Sequence, residues 1–251
     1  MEKIGTVELG LQRRAAPVIV GVMKSLSIRE AKRAKESGAD VIELRIDLLE
    51  DEEKSIGKVK EFIAMLKHSS TPIQMPIIVT NRKKEEGGSF AGSEAKRIGM
   101  LISILETAKV DAVDIEFFSP TELKKAIIEK AKSLHIPVIF SFHDFKGMPS
   151  HEDIMKIIEG MYEEGGSIAK IAVTPKTLSD SLFLLNLTYK LSREGNLLVT
   201  IGMGPVGRHL RVIAPLYGSA LTYGFIEGVE GVAPGQFSVK ELRNIMNKIQ
   251  M

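Results

Sequence analysis

The stretch IPVIFSFHDFKGMPSHEDIMKIIEGMYEEGGSIAKIAV, residues 136–173, contains one complete strand–helix–strand unit. Its two ends, 136–142 and 167–173, are short apolar runs rich in β-branched side chains, as expected of buried strands. The segment between them, 150–166, starts at a serine and ends in two glycines, and it has the length of an amphipathic helix. A strand, a helix and a second strand in this order predict two parallel strands of one sheet.

The same unit recurs along the chain. Strand-like runs lie at 17–22, 40–47, 75–80, 110–117, 136–142, 167–173, 196–202 and 218–224. Helix-like segments lie between them or after the last, at 27–38, 92–108, 119–134, 150–166, 178–193 and 238–249. Eight such units in a chain of 251 residues predict an α/β protein with a closed (β/α)8 TIM barrel, a fold that typically needs ~250 residues.

We expect residues 1–251 to form this barrel as a single domain, because no linker or low-complexity segment interrupts the pattern. The run TVELG, 6–10, predicts a short extra strand or hairpin ahead of the barrel. A doubly wound open sheet is the structural alternative. It usually has fewer strands, and no GxGxxG motif follows the first predicted strand here.

Composition excludes several classes of protein. The net charge is only +2, from 34 Lys and Arg against 32 Asp and Glu, which argues against a general nucleic-acid binder. The sequence has no cysteine and no apolar run approaching the ~20 residues of a membrane span. The first residues lack the basic-then-apolar order of a signal peptide, so we expect a cytoplasmic protein without a membrane partner.

Lys170 lies in the middle of the apolar run 167–173, and a lysine is rarely buried in a strand without a charged partner or a function. Desolvation holds a buried amine toward its neutral, nucleophilic form, and the natural target of such an amine is a ketone or aldehyde. The alternative is a structural ion pair with Asp114 or Glu116. The residue alone does not decide between these interpretations.

His143 follows the fifth strand, next to the strand that carries Lys170. Active sites of α/β barrels lie at the carboxyl ends of the strands, and imidazole is the usual proton shuttle near neutral pH. Imine formation on Lys170 with proton transfer by His143 is therefore the functional interpretation. Glu86 could orient the imidazole, although a charged loop residue in RKKEEGG is more often only solvated.

Further polar residues stand at the predicted strand ends. Arg45, Arg82 and Arg211 come from three different strand ends, and guanidinium groups suit a carboxylate or phosphate ligand. Together they favour an anionic substrate, although each alone could be a structural partner of an acidic side chain. Glu43, Met203 and Gln236 are further candidate site residues, because they also stand at or after predicted strand ends.

Most of these residues, all except Met203 and Arg211, lie in motifs that resemble those of the type I 3-dehydroquinate dehydratases. The motifs are IELRID (42–47), TNRKKEEGG (80–88), VDIE (113–116), SFHDF (141–145), IAKIAVTP (168–175), GSALTYG (218–224) and APGQFSV (233–239). They occur in the order typical of the family and cover nearly the whole chain.

The resemblance implies a homodimeric barrel, without a metal or organic cofactor, that dehydrates 3-dehydroquinate to 3-dehydroshikimate. It implies that Lys170 forms the imine, that His143 is the general acid and base, and that Glu86 orients it. The substrate-binding residues that the resemblance implies are Glu43, Arg45, Arg82, Arg211 and Gln236, and Met203 is a further substrate-binding candidate.

The sequence departs from the family pattern at Val232, where a serine commonly precedes APGQ. The surrounding loop, 227–236, contains Gly228, Gly231 and Gly235, and we expect it to close over the substrate as a lid. An ordinary glycine-rich connection is the alternative.

Two other functions stay open at this stage. A class I aldolase also uses a barrel lysine, but it commonly needs a phosphate site, for which only GMGPVG, 202–207, is a weak candidate. A barrel that binds a shikimate-type metabolite without catalysis is the second. Retention of Lys170, His143 and Glu86 disfavours it.

Overall fold

A computed structural model describes residues 3–10, 17–68, 73–229, 231, 233 and 235–249. Eight parallel strands form a nearly closed barrel in a single domain with helices around it, which confirms the predicted fold class. The strands of the barrel are β3 (Ile19–Met23), β4 (Val41–Arg45), β5 (Ile77–Thr80), β6 (Ala112–Glu116), β7 (Val138–Asp144), β8 (Ile168–Val173), β9 (Leu198–Gly202) and β10 (Thr222–Phe225). A short antiparallel hairpin of β1 (Lys3–Ile4) and β2 (Val7–Glu8) precedes the barrel, as predicted.

The helices follow the strands in alternation. They are α1 (Ile28–Glu36), α2 (Ile56–Lys67), α3 (Glu94–Thr107), α4 (Thr121–Ser133), α5 (His151–Glu163), α6 (Leu178–Arg193), the short α7 (Gly204–Gly207) and α8 (Leu210–Ile213), and α9 (Val239–Ile249). Their starts are encoded locally: the Ser27 hydroxyl accepts from the Glu30 N–H, and Thr177 and Asp180 form a capping box. Among the described helices, none is both long and apolar enough to cross a membrane.

Parallel pairing runs in spatial order from β10 through β3 to β9. At the remaining junction, the Ala220 N–H donates to the Leu198 carbonyl at 2.8 Å, and the Thr200 N–H donates to the Ser219 hydroxyl at 2.9 Å. These two bonds bring β9 and the segment before β10 together. The carboxyl ends of all eight strands therefore face one end of the barrel.

Two apolar layers stabilise this arrangement. Inside the barrel, strand residues such as Val20, Ile78 and Ile168 pack against each other. Outside, strand residues such as Ile42 pack against helix residues such as Phe62. The alternation of inward and outward side chains along each strand produces both layers.

Two elements differ from the sequence-based prediction. The helix α2 was not predicted, although Ser55 caps it and the apolar residues Val59, Phe62, Ile63 and Leu66 have helical spacing. The last strand was predicted at 218–224, but β10 begins only at Thr222. The delay arises because a 3-10 helix, Ala214–Tyr217, ends at Gly218 with φ +110°, so the chain turns before it can pair.

Candidate active site

A cavity lies at the carboxyl end of the barrel, with about 520 Å³ of empty space that includes open solvent at its mouth. All the predicted site residues line it: Glu43, Arg45, Arg82, Glu86, His143, Lys170, Met203, Arg211 and Gln236. Within the described ranges, no group of three or more His, Asp and Glu side chains is arranged to hold a metal ion.

Lys170 is buried at the floor of the cavity, with 4% of its surface exposed. Its Nζ donates to Asp114 Oδ2 at 2.8 Å and lies 3.7 Å from Glu43 Oε1. It also lies 4.1 Å from the centre of the Tyr223 ring. The predicted ion pair with Asp114 is therefore present, and it places the amine within the cavity rather than away from it.

Asp114 and Glu116 both accept hydrogen bonds from Arg82. The guanidinium donates to Asp114 Oδ1 at 2.7 Å, to Glu116 Oε1 at 3.1 Å and to the Ser141 hydroxyl at 2.5 Å. Although burial opposes it, the charges of Arg82 and Lys170 hold the pKa of Asp114 well below its usual range. Asp114 is thus a permanent negative charge beside the lysine.

Arg82 and Arg45 were both predicted to bind an anion, but each already pairs with acidic side chains of the protein. Arg82 is committed to Asp114, Glu116 and Ser141, and Arg45 forms a two-point pair with Asp47 at 2.9 and 2.7 Å. Both guanidinium groups line the cavity, but each is already neutralised by a carboxylate.

Arg211 is different. It is 1% exposed, and its Nε and Nη2 make no hydrogen bond with any residue in the described part of the chain. Burial, with the charge of Arg208, lowers the pKa of Arg211 to about 10, so the side chain stays charged at neutral pH. A buried, unpaired guanidinium in a cavity is a site for an anion.

The Glu86 carboxylate contacts both the ring and the backbone of His143. Glu86 Oε2 lies 3.0 Å from His143 Nδ1 and accepts the backbone N–H of His143, also at 3.0 Å. When Glu86 is ionised its carboxylate can only accept, so Nδ1 then carries the ring proton and Nε2 is left as a base.

Burial and the nearby positive charges keep the imidazole neutral. Burial, reinforced by the positive charges of Arg82 and Lys170, lowers the pKa of His143 well below its usual value. Burial raises the pKa of Glu86 to about 7, against the opposing charges of Arg82 and Lys83. A neutral histidine next to a buried lysine fits proton transfer.

The two glycines after Glu86 allow the chain to turn tightly there. Glu86 ends the 3-10 helix Lys84–Glu86, and Gly87 follows with φ +80°. A Cβ on Gly88 would lie 2.1 Å from the Arg82 carbonyl oxygen. The motif EGG is therefore a backbone requirement that positions the carboxylate of Glu86 against His143.

Sequence reasoning missed Tyr223 as a site residue. Its ring lines the cavity and is covered by the Lys170 amine, as noted above. The signal was available, because Tyr223 lies on the last strand in the motif GSALTYG, at an inward-facing position. Val232 and Pro234 of the predicted lid lie outside the described residues.

Fold and site together define an α/β-barrel enzyme with its active site at the carboxyl ends of the strands. The chain belongs to the type I 3-dehydroquinase family, whose model matches residues 16–251. It is 38% identical over 244 residues to a 3-dehydroquinate dehydratase of Methanosarcina barkeri, covering 97% of this chain and 98% of the relative. A relative of the same name from Methanosarcina mazei is 37% identical over 251 residues, which is 100% of both chains.

Solved structures agree with this assignment. A type I 3-dehydroquinate dehydratase from Clostridium difficile superimposes with a TM-score of 0.86 at 30% identity, covering 99% of this chain and 96% of that one. The 3-dehydroquinate dehydratase of Geobacillus kaustophilus gives a TM-score of 0.83 at 27% identity, with 93% and 91% covered.

Proposed function

We propose that the chain dehydrates 3-dehydroquinate to 3-dehydroshikimate, a hydro-lyase step of the shikimate pathway that leads to aromatic amino acids, through an imine on Lys170. Family membership supports the reaction, and the juxtaposition of a buried amine with the His143–Glu86 pair supports the mechanism. The Clostridium difficile relative was crystallised with covalently modified comenic acid. In this proposal residues 1–251 act as one cytoplasmic catalytic domain.

The first stage joins the substrate to the enzyme. Lys170 passes one proton to His143, and the free amine attacks the ketone carbon to form a C–N bond. The adduct nitrogen passes one proton to the former ketone oxygen, and His143 returns to it the proton taken from Lys170. That oxygen leaves as water, which produces a protonated imine and a neutral His143. Asp114 and Glu43 stabilise that positive charge, because they already flank the amine at 2.8 and 3.7 Å.

The second stage is the elimination. A ketone's α-proton is too weakly acidic for a histidine, but the protonated imine accepts the electron pair as an enamine. His143 removes the proton from the adjacent methylene carbon and returns it to the departing hydroxyl, which leaves as water. Hydrolysis of the product imine consumes one water and frees Lys170, so the net reaction releases a single water.

Binding positions the substrate for these steps. We assign the substrate carboxylate to Arg211, because its guanidinium is the charged group in the cavity that is buried without a partner among the described residues. Glu43, Arg45, Arg82, Met203 and Gln236 surround the remainder of the ring and its hydroxyl groups. Fixing the ring in this way presents one methylene proton to His143.

The experiment is intact-mass spectrometry after mixing the protein with 3-dehydroquinate and borohydride. The expected result is a stable adduct, mapped to Lys170 and absent in Lys170→Ala. Lys176→Ala is the matched control, because Lys176 is exposed on the chain that leaves the same strand. No adduct in folded wild-type protein would overturn the mechanism. An adduct formed only with phosphorylated sugars would favour an aldolase, and binding without adduct or turnover would favour a non-catalytic metabolite-binding barrel.

The loop 227–236 is proposed as the lid. Ala233 and Gln236 line the cavity, so this loop covers part of its mouth. Closure would exclude water from the imine. Gln236→Ala should therefore weaken substrate affinity and turnover, and unchanged values for both would contradict the lid.

We propose a homodimer that pairs through α6. Leu178, Leu182 and Tyr189 lie along one face of this helix and are 69%, 61% and 51% exposed. Sedimentation should show a dimer for the wild type and a monomer for Leu182→Glu. Met65→Glu, at another exposed apolar position, is the control that should stay dimeric. A monomeric wild type would contradict the proposal.

A further inference from the structure

One layer of the barrel interior is built from polar side chains of alternate strands. Glu43 on β4, Asp114 on β6, Lys170 on β8 and Tyr223 on β10 contribute one side chain each. Interior layers of such barrels are typically built from alternate strands, four side chains to a layer. Lys170 is the centre of this layer, because its Nζ contacts Asp114, Glu43 and the ring of Tyr223.

The hydroxyl of Tyr223 has no role in holding this layer together. The side chain is 5% exposed, and its hydroxyl makes no hydrogen bond with the residues that the structure describes. A buried hydroxyl without a partner destabilises a protein, and a phenylalanine would fill the same space without that cost. Tyr162 shows the ordinary case, since its hydroxyl donates to the Leu197 carbonyl at 3.0 Å.

The phenol is available as a donor. Burial, with the negative charges of Glu43 and Asp114, raises the pKa of Tyr223 well above its usual value. The hydroxyl therefore keeps its proton across the physiological range. Because no described side chain accepts that proton in a hydrogen bond, the acceptor that suits it is an atom of the ligand in the cavity.

We propose that the Tyr223 hydroxyl donates a hydrogen bond to the substrate hydroxyl on the carbon next to the imine carbon, and that it selects substrates carrying this group. The inference rests on the proposed function. A ketone carbon bonded to Lys170 Nζ is held beside the Tyr223 ring, which the amine already covers. In 3-dehydroquinate one neighbour of that carbon is the methylene that His143 deprotonates. The other neighbour carries a hydroxyl. With the methylene facing His143, this hydroxyl is on the opposite side of the imine carbon, toward the other side chains of the layer.

The test compares wild type and Tyr223→Phe on two substrates, 3-dehydroquinate and an analogue without that hydroxyl. With 3-dehydroquinate, kcat/KM should fall about 10- to 100-fold in the variant, the usual range when a buried polar group loses its partner. With the analogue, the two proteins should agree within about twofold, because the contact is absent in both. The thermal midpoint of Tyr223→Phe should equal or exceed that of the wild type, since an unpaired hydroxyl has been removed.

Tyr162→Phe is the matched control. It should lower the thermal midpoint and leave kcat/KM unchanged, which is the opposite pattern. An unchanged kcat/KM in Tyr223→Phe, or an equal loss on both substrates, would overturn the inference while the borohydride adduct still supports the imine. Absence of the adduct in wild type would instead overturn the proposed function, and this inference with it.

Discussion

A single oxygen of Glu86 contacts His143 at two points, 3.0 Å from its backbone nitrogen and 3.0 Å from Nδ1. The contact fixes both the ring orientation and the position of the ring proton. The loop that carries Glu86 can approach so closely only because Gly87 and Gly88 follow it. The base, its orienting carboxylate and the tight turn therefore act as one unit.

Glu86→Gln should lower kcat by about 100-fold or more. The glutamine amide can turn its NH2 toward Nδ1, which moves the ring proton to Nε2 and removes the base. Wild-type kcat/KM should also fall as the pH drops through about 7, where Glu86 gains a proton. In a steady-state pH profile, the variant should lack this decrease of kcat/KM near pH 7. If the decrease persists, another group titrates in that pH range.

The same substitution should stabilise the folded protein at high pH. The pKa of Glu86 is raised from 4.5 to about 7, so the native state loses stability as pH rises through that window. Relative to wild type, Glu86→Gln should gain at most about 3 kcal/mol in unfolding free energy above pH 7, and nothing near pH 4. Urea titrations at both pH values measure this difference. The exposed neighbour Glu85 provides the control, because Glu85→Gln should behave like wild type at both.

Asp114→Asn should destabilise the protein as well as impair it. The carboxylate pairs with Lys170 at 2.8 Å and with Arg82 at 2.7 Å, so the change leaves two buried cations without their shared anion. Loss of one partner from a buried ion pair costs about 3–5 kcal/mol. Chemical denaturation should reveal this loss, whereas Asp51→Asn, at an exposed position, should show none. A variant as stable as wild type would mean that Glu43 and Glu116 suffice to neutralise the cluster.

The sequence predicted the barrel well because its evidence is local. Strand runs, caps and terminal glycines recur in each unit, and strand order then follows from the parallel crossover rule. Lys170 and His143 were recognisable for the same reason, since each stands at a known place on its own strand. The exceptions were α2, which was not predicted, and the start of the last strand, where Gly218 turns the chain before pairing begins.

Partner choice inside the site could not be predicted in the same way. Asp114 and Glu116 lie on one face of β6, so alternation alone leaves both as partners of Lys170. The structure selects Asp114 for the lysine and shares both carboxylates with Arg82. That selection depends on side-chain reach across the barrel interior, which no spacing along the chain encodes.

Arg211→Met should raise KM while leaving kcat much less affected, because the guanidinium binds a part of the substrate that does not react. Loss of a buried charged contact typically costs 2–5 kcal/mol, so KM should rise by about 30-fold or more. Methionine keeps most of the apolar contacts and removes an unpaired buried charge, so the free protein should be at least as stable as wild type. Steady-state kinetics and thermal melts with and without the product test both expectations, with the exposed Arg193→Met as control. A loss of stability with an unchanged KM would show that Arg211 serves the fold rather than the substrate.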